Sequence, residues 1–346
     1  MKPDAQKKAI FVISLLLGLF IFIAGFFELA ARLMGAKPWD VVIVRSRGWA
    51  AHHPTLGFTV QPGVIEGRIG DETYVIHVAD DHKRITRPIE ETDESEGRPE
   101  IWFMGCSITF GHGVSDNQTF AWLFQKAFPE YNVENFACSA YSTTHSYLQL
   151  KEEFNKQSSP DFVFLFFTAG HEQRNTCDRR WREGLLRWKN PPSMLYPYAF
   201  VNKNGVLSTG LRTIAYRPFP LVKYSAFMTL LQQTFDARKS QKIRNQTITV
   251  QLIKSINELC MENNSKFIMA SVDLGLETLE TLDLCAQMGI QTAAIGVDLS
   301  SEKFTFIPLD PHPNPAGHSA IAENLISYFR QYCRDTSDKT SEMNIL

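Results

Sequence analysis

Residues 9–27 are 19 consecutive positions without a charged side chain, a pattern that recurs nowhere else in the chain. That length approaches the ~20 apolar residues a helix needs to cross the hydrocarbon of a bilayer. Lys2, Lys7 and Lys8 precede the run, which orients its amino end toward the cytoplasm and the rest of the chain outside the inner membrane. Arg32, Lys37, Arg45 and Arg47 follow it and weaken the asymmetry. A cleaved signal peptide is the rival, but its apolar core runs to ~7–15 residues and ends in a small-residue cleavage site. Here the apolar run is longer, and residues 28–34 continue as an amphipathic helix. The expectation is a short cytoplasmic tail over 1–8 and a single uncleaved transmembrane helix over 9–30.

Residues 31–98 show only short apolar pieces (41–44, 74–77) between Gly, Pro and charge, ending in the acidic stretch 90–100. They are expected to form a linker or extension. From 99 onward the pattern changes. Short apolar runs at 101–104, 133–137, 162–167, 267–272 and 290–297 alternate with helical periodicity at 119–128, 146–157, 247–263, 276–288 and 315–332. Strands alternating with helices predict a mostly parallel sheet covered on both faces. Residues 162–167 (FVFLFF) are apolar at every position, as a strand buried on both faces requires. Residues 176–240 break the alternation with Arg, Trp, Pro and Tyr and are expected to be an insertion over the active face. Ligands of such sheets bind beyond the carboxyl ends of the strands, so the residues just after each strand matter most. A polar tail over 334–346 closes the chain.

Composition changes this picture little. Hydrophobic residues make up 44%, and the net charge is −2 from 35 basic and 37 acidic side chains, which leaves no bulk positive field for nucleic acid. Six cysteines are too few for a disulfide-built scaffold. Twenty-five phenylalanines are many, and they divide between the membrane run and the 162–167 strand, with the remainder scattered as packing positions.

The chemistry sits at the strand ends. After the first strand stand Gly105, Cys106 and Ser107: glycine lets the chain turn sharply, and the serine is presented at the sheet mouth with helix amides nearby. Turn chemistry alone accounts for such a triplet equally well. Near the end, Asp310-Pro311-His312 precedes an amphipathic helix; an imidazole is a suitable base for a serine hydroxyl, and a carboxylate can fix its tautomer. Taken alone, this stretch also fits an exposed, Pro-rich polar loop.

Together these segments resemble the SGNH/GDSL hydrolase superfamily over about residues 99–333. The resemblance implies a three-layer α/β/α, flavodoxin-like fold, and assigns the nucleophile to Ser107, whose own amide also serves the oxyanion hole. The usual Gly-Asp-Ser reads Gly105-Cys106-Ser107 here. The second block matches Asn135 to Thr143, with Ala140 where the family places a glycine whose amide is the next oxyanion donor. The third block departs: Gly-x-Asn-Asp is expected, and the chain reads Gly170-His171-Glu172-Gln173-Arg174-Asn175. His171 is the first candidate for the missing side-chain donor and Asn175, one helical turn on, the second. In the fourth block His312 is the base and Asp310 its partner, one residue closer than the family's Asp-x-x-His. His318, six residues on, is expected to be a helix-face residue.

Cys106 and Cys138 flank the proposed site, where a disulfide or two buried thiols would fit. The His and Cys spacings do not suit a metal. Arg174, Arg179, Arg180, Trp181, Arg182, Arg187 and Trp188 form a basic, aromatic cluster. Arg174 and Trp181 are its candidates for binding an acylated glycan, and a solvated helix with its Trp packed inward is the plainer alternative. The resemblance implies serine esterase chemistry on an acyl ester, without metal or organic cofactor. O-acetyl groups of envelope glycans are the suggested substrate. An O-acyltransferase, or a non-catalytic glycan-binding subunit with a degenerate site, are the alternatives.

Overall fold

In the computed structural model, residues 3–39, 44–45, 49–91, 97–156, 159–185, 188–189, 195–243 and 245–343 are described. The apolar piece at 41–43, most of the acidic stretch (92–96), Arg187 and the side chain of Trp188 lie outside them.

Five parallel strands build the central sheet: β1 (Glu100–Met104), β2 (Asn132–Asn135), β3 (Phe162–Phe167), β4 (Lys266–Asp273) and β5 (Thr292–Val297). Their spatial order is β2-β1-β3-β4-β5. The two-residue period of a strand sorts β3 onto opposite faces. Phe162, Phe164 and Phe166 pack with the helices Phe120–Ala127 and Pro315–Met343. Val163, Leu165 and Phe167 pack with Thr143–Glu153, Asn245–Glu262 and Leu276–Gln287. All six are buried, so the uninterrupted apolar run follows from a strand that meets helices on both sides. This is the three-layer α/β/α architecture with the expected parallel sheet.

The order reverses between β1 and β3, and the crevice outside the carboxyl ends of these neighbours is where an open parallel sheet binds ligands. Ser107 follows β1 and Gly170 follows β3, so the topology itself brings two of the motif blocks together.

Residues 49–91 do more than link. Two antiparallel hairpins (50–53 with 57–60, and 63–69 with 72–78) lie over the site end of the sheet. Arg84 forms isolated bridges to Val78 and to Asn135, joining the second hairpin to the edge strand β2. Leu56, Phe58, Val60, Ile76 and Val78 share a satellite core with Phe110, Ala137, Ala140, Tyr141 and the insertion's Tyr196. The insertion contains a helix, Arg179–Leu185, a hairpin of Leu195–Val201 with Leu207–Thr213, and a long helix, Ala226–Ile243.

The amino-terminal helix, Pro3–Leu33, carries a candidate membrane span over Gln6–Leu33 whose apolar side chains are exposed over most of its length, Ala31 near its end being buried. Its carboxyl end docks on the insertion. Glu28 accepts hydrogen bonds from Ser225 Oγ (2.7 Å) and from the amides of Ala226 (3.0 Å) and Phe227 (3.1 Å), so it caps the helix Ala226–Ile243 from another segment. Phe27 stacks on Phe227 at 5.0 Å. The closing helix continues to Met343, beyond the periodicity that ends near 332.

Candidate active site

Ser107 opens a one-turn helix, Ser107–Phe110, directly after β1. The turn needs glycine at 105: a Cβ there would lie 2.2 Å from Thr109 Oγ1, itself buried under the turn. The helix ends at Gly111 in the left-handed region (φ 81°), and His112 then donates its amide to Ser107 O at 2.9 Å.

His312 lies on a short hairpin strand, Asp310–Pro313. Its Nε2 is 2.7 Å from Ser107 Oγ, and its Nδ1 is 2.5 Å from Asp310 Oδ1. The ionised carboxylate can only accept, so Nδ1 carries the ring proton and Nε2 presents a lone pair to the serine hydroxyl. The short Asp310–His312 spacing works because Asp310 folds back: the same oxygen accepts the backbone N–H of His312 at 2.8 Å. Burial raises the Asp310 carboxyl, but the hydrogen bonds and positive potential of His312 outweigh it, and the net shift is downward. Asp310 is therefore ionised wherever the imidazole needs it.

The second block is fixed from three directions. Tyr196 Oη donates to Ala140 O (2.7 Å), Tyr141 Oη donates to Phe58 O (2.8 Å), and Arg174 Nη1 donates to Tyr141 O (3.2 Å). Ala140 sits at φ 67°, the region glycine enters freely and alanine at a cost. Ala140 thus holds a glycine-like conformation with a Cβ in place. Among the described residues, the amides of Ser107 and Ala140 donate to no other group.

The third block is organised otherwise. His171 is fully buried, edge-on to Phe167, with Nδ1 3.3 Å from Thr143 Oγ1 and Nε2 unpartnered. Burial, then the charge of Arg174, holds its imidazole well below the ordinary value, so it is neutral. Asn175 donates from Nδ2 to Thr249 Oγ1 (2.8 Å), while its Oδ1 accepts from the amide of Thr144 (3.0 Å). Its amide thus ties three helices together. Glu172 accepts from Thr281 Oγ1 at 3.1 Å. Arg174 lies with its Cζ 4.8 Å from the Trp181 ring centroid, so one face of that ring is covered by the guanidinium.

His318 is a core residue. It is fully buried, accepts the Phe120 amide at Nδ1 (3.3 Å), stacks on Phe120, and is pushed down to about 3 by burial. Cys106 and Cys138 are buried free thiols.

Two groups escaped the sequence reading. His112 packs against the His312 ring with centroids 4.6 Å apart; burial, then the neighbouring imidazole, lowers it to about 4. His112, Asp310 and His312 offer ligand atoms within 4.8 Å of one another, a donor trio that a divalent cation could share, though Asp310 and His312 are already engaged with each other. The second is Arg84. Its side chain is fully buried and donates to Asp116 Oδ1 (2.9 Å) and to the carbonyls of Phe110 (2.8 Å), Gly111 (2.5 Å) and Val114 (2.8 Å). It holds the segment that leaves the nucleophile helix. A lone arginine in a polar extension gives no sequence signal of such a role. His112, five residues after Ser107, was the more visible of the two.

No protein-family model matches the sequence, and a search of the curated proteins finds no relative. Among solved structures, the chain is similar to a member of the lipolytic protein G-D-S-L family from Veillonella parvula, at 13% identity and a TM-score of 0.37, covering 67% of this chain and 98% of that one. It is also similar to the psychrotrophic esterase EstA from a Pseudoalteromonas species, at 11% identity and a TM-score of 0.38, covering 68% and 98%. A GDSL-like lipase from Bacteroides thetaiotaomicron is similar at 13% identity and a TM-score of 0.36, covering 72% and 93%.

Proposed function

We propose that this chain is a serine esterase of the SGNH/GDSL kind, attached to the inner membrane by its amino-terminal helix with its catalytic domain outside the cytoplasm. One observation carries the reading: the continuous relay Ser107 Oγ to His312 Nε2 at 2.7 Å and His312 Nδ1 to Asp310 at 2.5 Å, at the switch point of the sheet.

In the proposed reaction Ser107 Oγ attacks the ester carbonyl carbon while its proton passes to His312 Nε2. Asp310 stabilises the imidazolium that forms. The tetrahedral oxyanion takes hydrogen bonds from the amides of Ser107 and Ala140; His171, sealed under Thr143 and Phe167, is not counted among its donors. Collapse breaks the bond to the alcohol, which leaves with the proton from His312, and the acyl group stays on Ser107. Water, or a sugar hydroxyl in a transfer reaction, then gives its proton to His312 and attacks the acyl-enzyme. This returns Ser107 and releases the acid or the new ester. O-acetyl groups of envelope polysaccharide are the proposed substrate, in keeping with a membrane-attached domain outside the cytoplasm. A relay of this length is unneeded in a purely binding protein, which favours catalysis over a degenerate glycan-binding site.

The test is a panel of acyl esters and acetylated glycans, with and without a hydroxyl acceptor, comparing the wild type with Ser107→Ala. The reading expects at least one ester to be turned over by the wild type and the rate to fall ~10³-fold or more in the variant. Turnover unchanged by Ser107→Ala would remove the mechanism.

A further inference from the structure

The basic cluster after β3 is not uniform. Arg179 pairs with Asp236 and lies over the Tyr216 ring, 4.4 Å from its centroid. Arg182 donates to the carbonyls of Asp178 and Ala215. Arg180 faces solvent. Arg174 differs from all of them. It is partly buried, its Nε is buried without a partner, and none of the ion pairs among the described residues includes it.

The carboxylates near it in sequence are turned elsewhere. Glu172 accepts from Thr281, and Asp178 accepts from the Trp181 amide (2.9 Å) and Asn245 Nδ2 (3.2 Å). The two nearby imidazoles, His145 and His171, are buried and held neutral, by burial first and partly by Arg174 itself, so they place no second positive charge beside it. A partly buried guanidinium with no counter-ion is stabilised when a ligand supplies the anion.

Its position is also informative. Nη1 reaches Tyr141 O, one residue past Ala140, and a Cβ on Gly170 would lie 3.7 Å from Nη2. The side chain therefore spans the second and third motif blocks. Trp181 lies against the guanidinium and keeps its plane oriented. A fixed planar fork with an unmet charge matches a carboxylate, which it can hold through two parallel hydrogen bonds.

We propose that Arg174 is the specificity-determining residue of this site and that the ester it selects carries a carboxylate. The inference rests on the esterase reading above. It makes the substrate an anionic ester, such as an acetylated acidic sugar, and it assigns Trp181 to orienting Arg174.

The experiment uses the full chain in detergent micelles or nanodiscs, with matched neutral and anionic probes. 4-Nitrophenyl acetate is compared with 4-nitrophenyl hemisuccinate, whose carboxylate is on the acyl side. Acetylglucose is compared with acetylglucuronate, whose carboxylate is on the alcohol side. The wild type should prefer the anionic member of at least one pair by about 10- to 100-fold in kcat/KM, the range for one hydrogen-bonded charge pair. Arg174→Gln should erase that preference, chiefly through KM, and should slow the neutral ester as well, by less, because the bond to Tyr141 O is lost with it; Arg174→Lys should keep part of the preference. If Arg174→Gln does not fold, the wild type decides by salt: raising ionic strength should lower kcat/KM for the anionic ester and spare the neutral one. Equal turnover of both members of both pairs would overturn the proposal while leaving the esterase reading intact. An equal loss on neutral and anionic esters in a folded Arg174→Gln would also overturn it, because the residue would then serve the reaction centre itself. Ser107-independent turnover, or none on any probe, would instead sink the esterase reading and this inference with it.

Discussion

Replacing Arg84 by methionine should destabilise the domain by about 3–5 kcal/mol, the range for removing one partner of a buried ion pair. Methionine fills most of the volume, so the loss is electrostatic. Burial lowers the guanidinium to about 10, yet it is still charged at neutral pH, since Asp116 and three carbonyls surround it. Without it, Asp116 keeps only its contacts to His77, 2.6 Å to the ring and 3.2–3.3 Å to the amide, and the carbonyls of Phe110, Gly111 and Val114 lose this donor. Against a typical total of 5–15 kcal/mol, that is a large share. The carbonyls of Phe110 and Gly111 stand at the end of the nucleophile helix, so Ser107 should also shift; a displacement near 1 Å costs up to ~10²-fold in rate. Denaturant unfolding followed by tryptophan fluorescence gives the first quantity, and esterase kinetics below the transition give the second. Combining Arg84→Met with Asp116→Asn should recover part of the stability, because the second change removes the stranded charge. A loss under about 1 kcal/mol for Arg84→Met, with normal kinetics, would refute the view that the extension supports the site.

Asp310→Asn should leave the fold intact and lower kcat/KM by about 10³–10⁴, because an amide no longer enforces the Nδ1–H tautomer; steady-state kinetics beside a melting curve test this. Ala140→Gly should be active and within about 1 kcal/mol of wild type, whereas Ala140→Val, β-branched at φ 67°, should lose about 2 kcal/mol or more and most of its activity. Stability should fall in acid: His112 and His318 are lowered to about 4 and about 3 in the fold and titrate near 6.5 when unfolded. Their contribution is therefore complete above pH 6.5 and declines as pH falls toward 4 and 3, by about 2 kcal/mol each at pH 5. Unfolding free energies at pH 7 and 5 measure it, and His318→Gln should flatten the slope by about one proton.

What could be read from the sequence is what one short stretch dictates by itself. The β3 strand shows because burial on both faces leaves no polar position in Phe162–Phe167. The blocks around Ser107 and His312 show because turn, nucleophile and base are each compressed into a few residues. The hairpins of 49–91 did not, because what holds them is distant in sequence: the shared core with Tyr141 and Tyr196, and Arg84 reaching 26 to 30 residues along the chain to Phe110 and Val114. The helix Thr143–Glu153 begins three residues before its apolar periodicity, since its capping box uses Ser142 with His145 in place of the usual Glu or Gln. The shortened Asp310–His312 spacing looked like a displaced carboxylate. The backbone hydrogen bond to His312 brings it back to the ring. Glu28 belongs to the apolar helix by position, and its role as a cap for Ala226–Ile243 exists only once the two segments meet.

The central claim is that Ser107 is an activated nucleophile, and a fluorophosphonate tests it most directly, because such a probe reacts covalently with a serine whose hydroxyl has a base within reach. Intact-mass analysis of the full chain should show one adduct per molecule, mapped to Ser107 by peptide sequencing. The adduct should be absent in Ser107→Ala and should form at least ~10²-fold more slowly in His312→Ala. A wild type that stays unlabelled, or an adduct that persists in Ser107→Ala, would contradict the account.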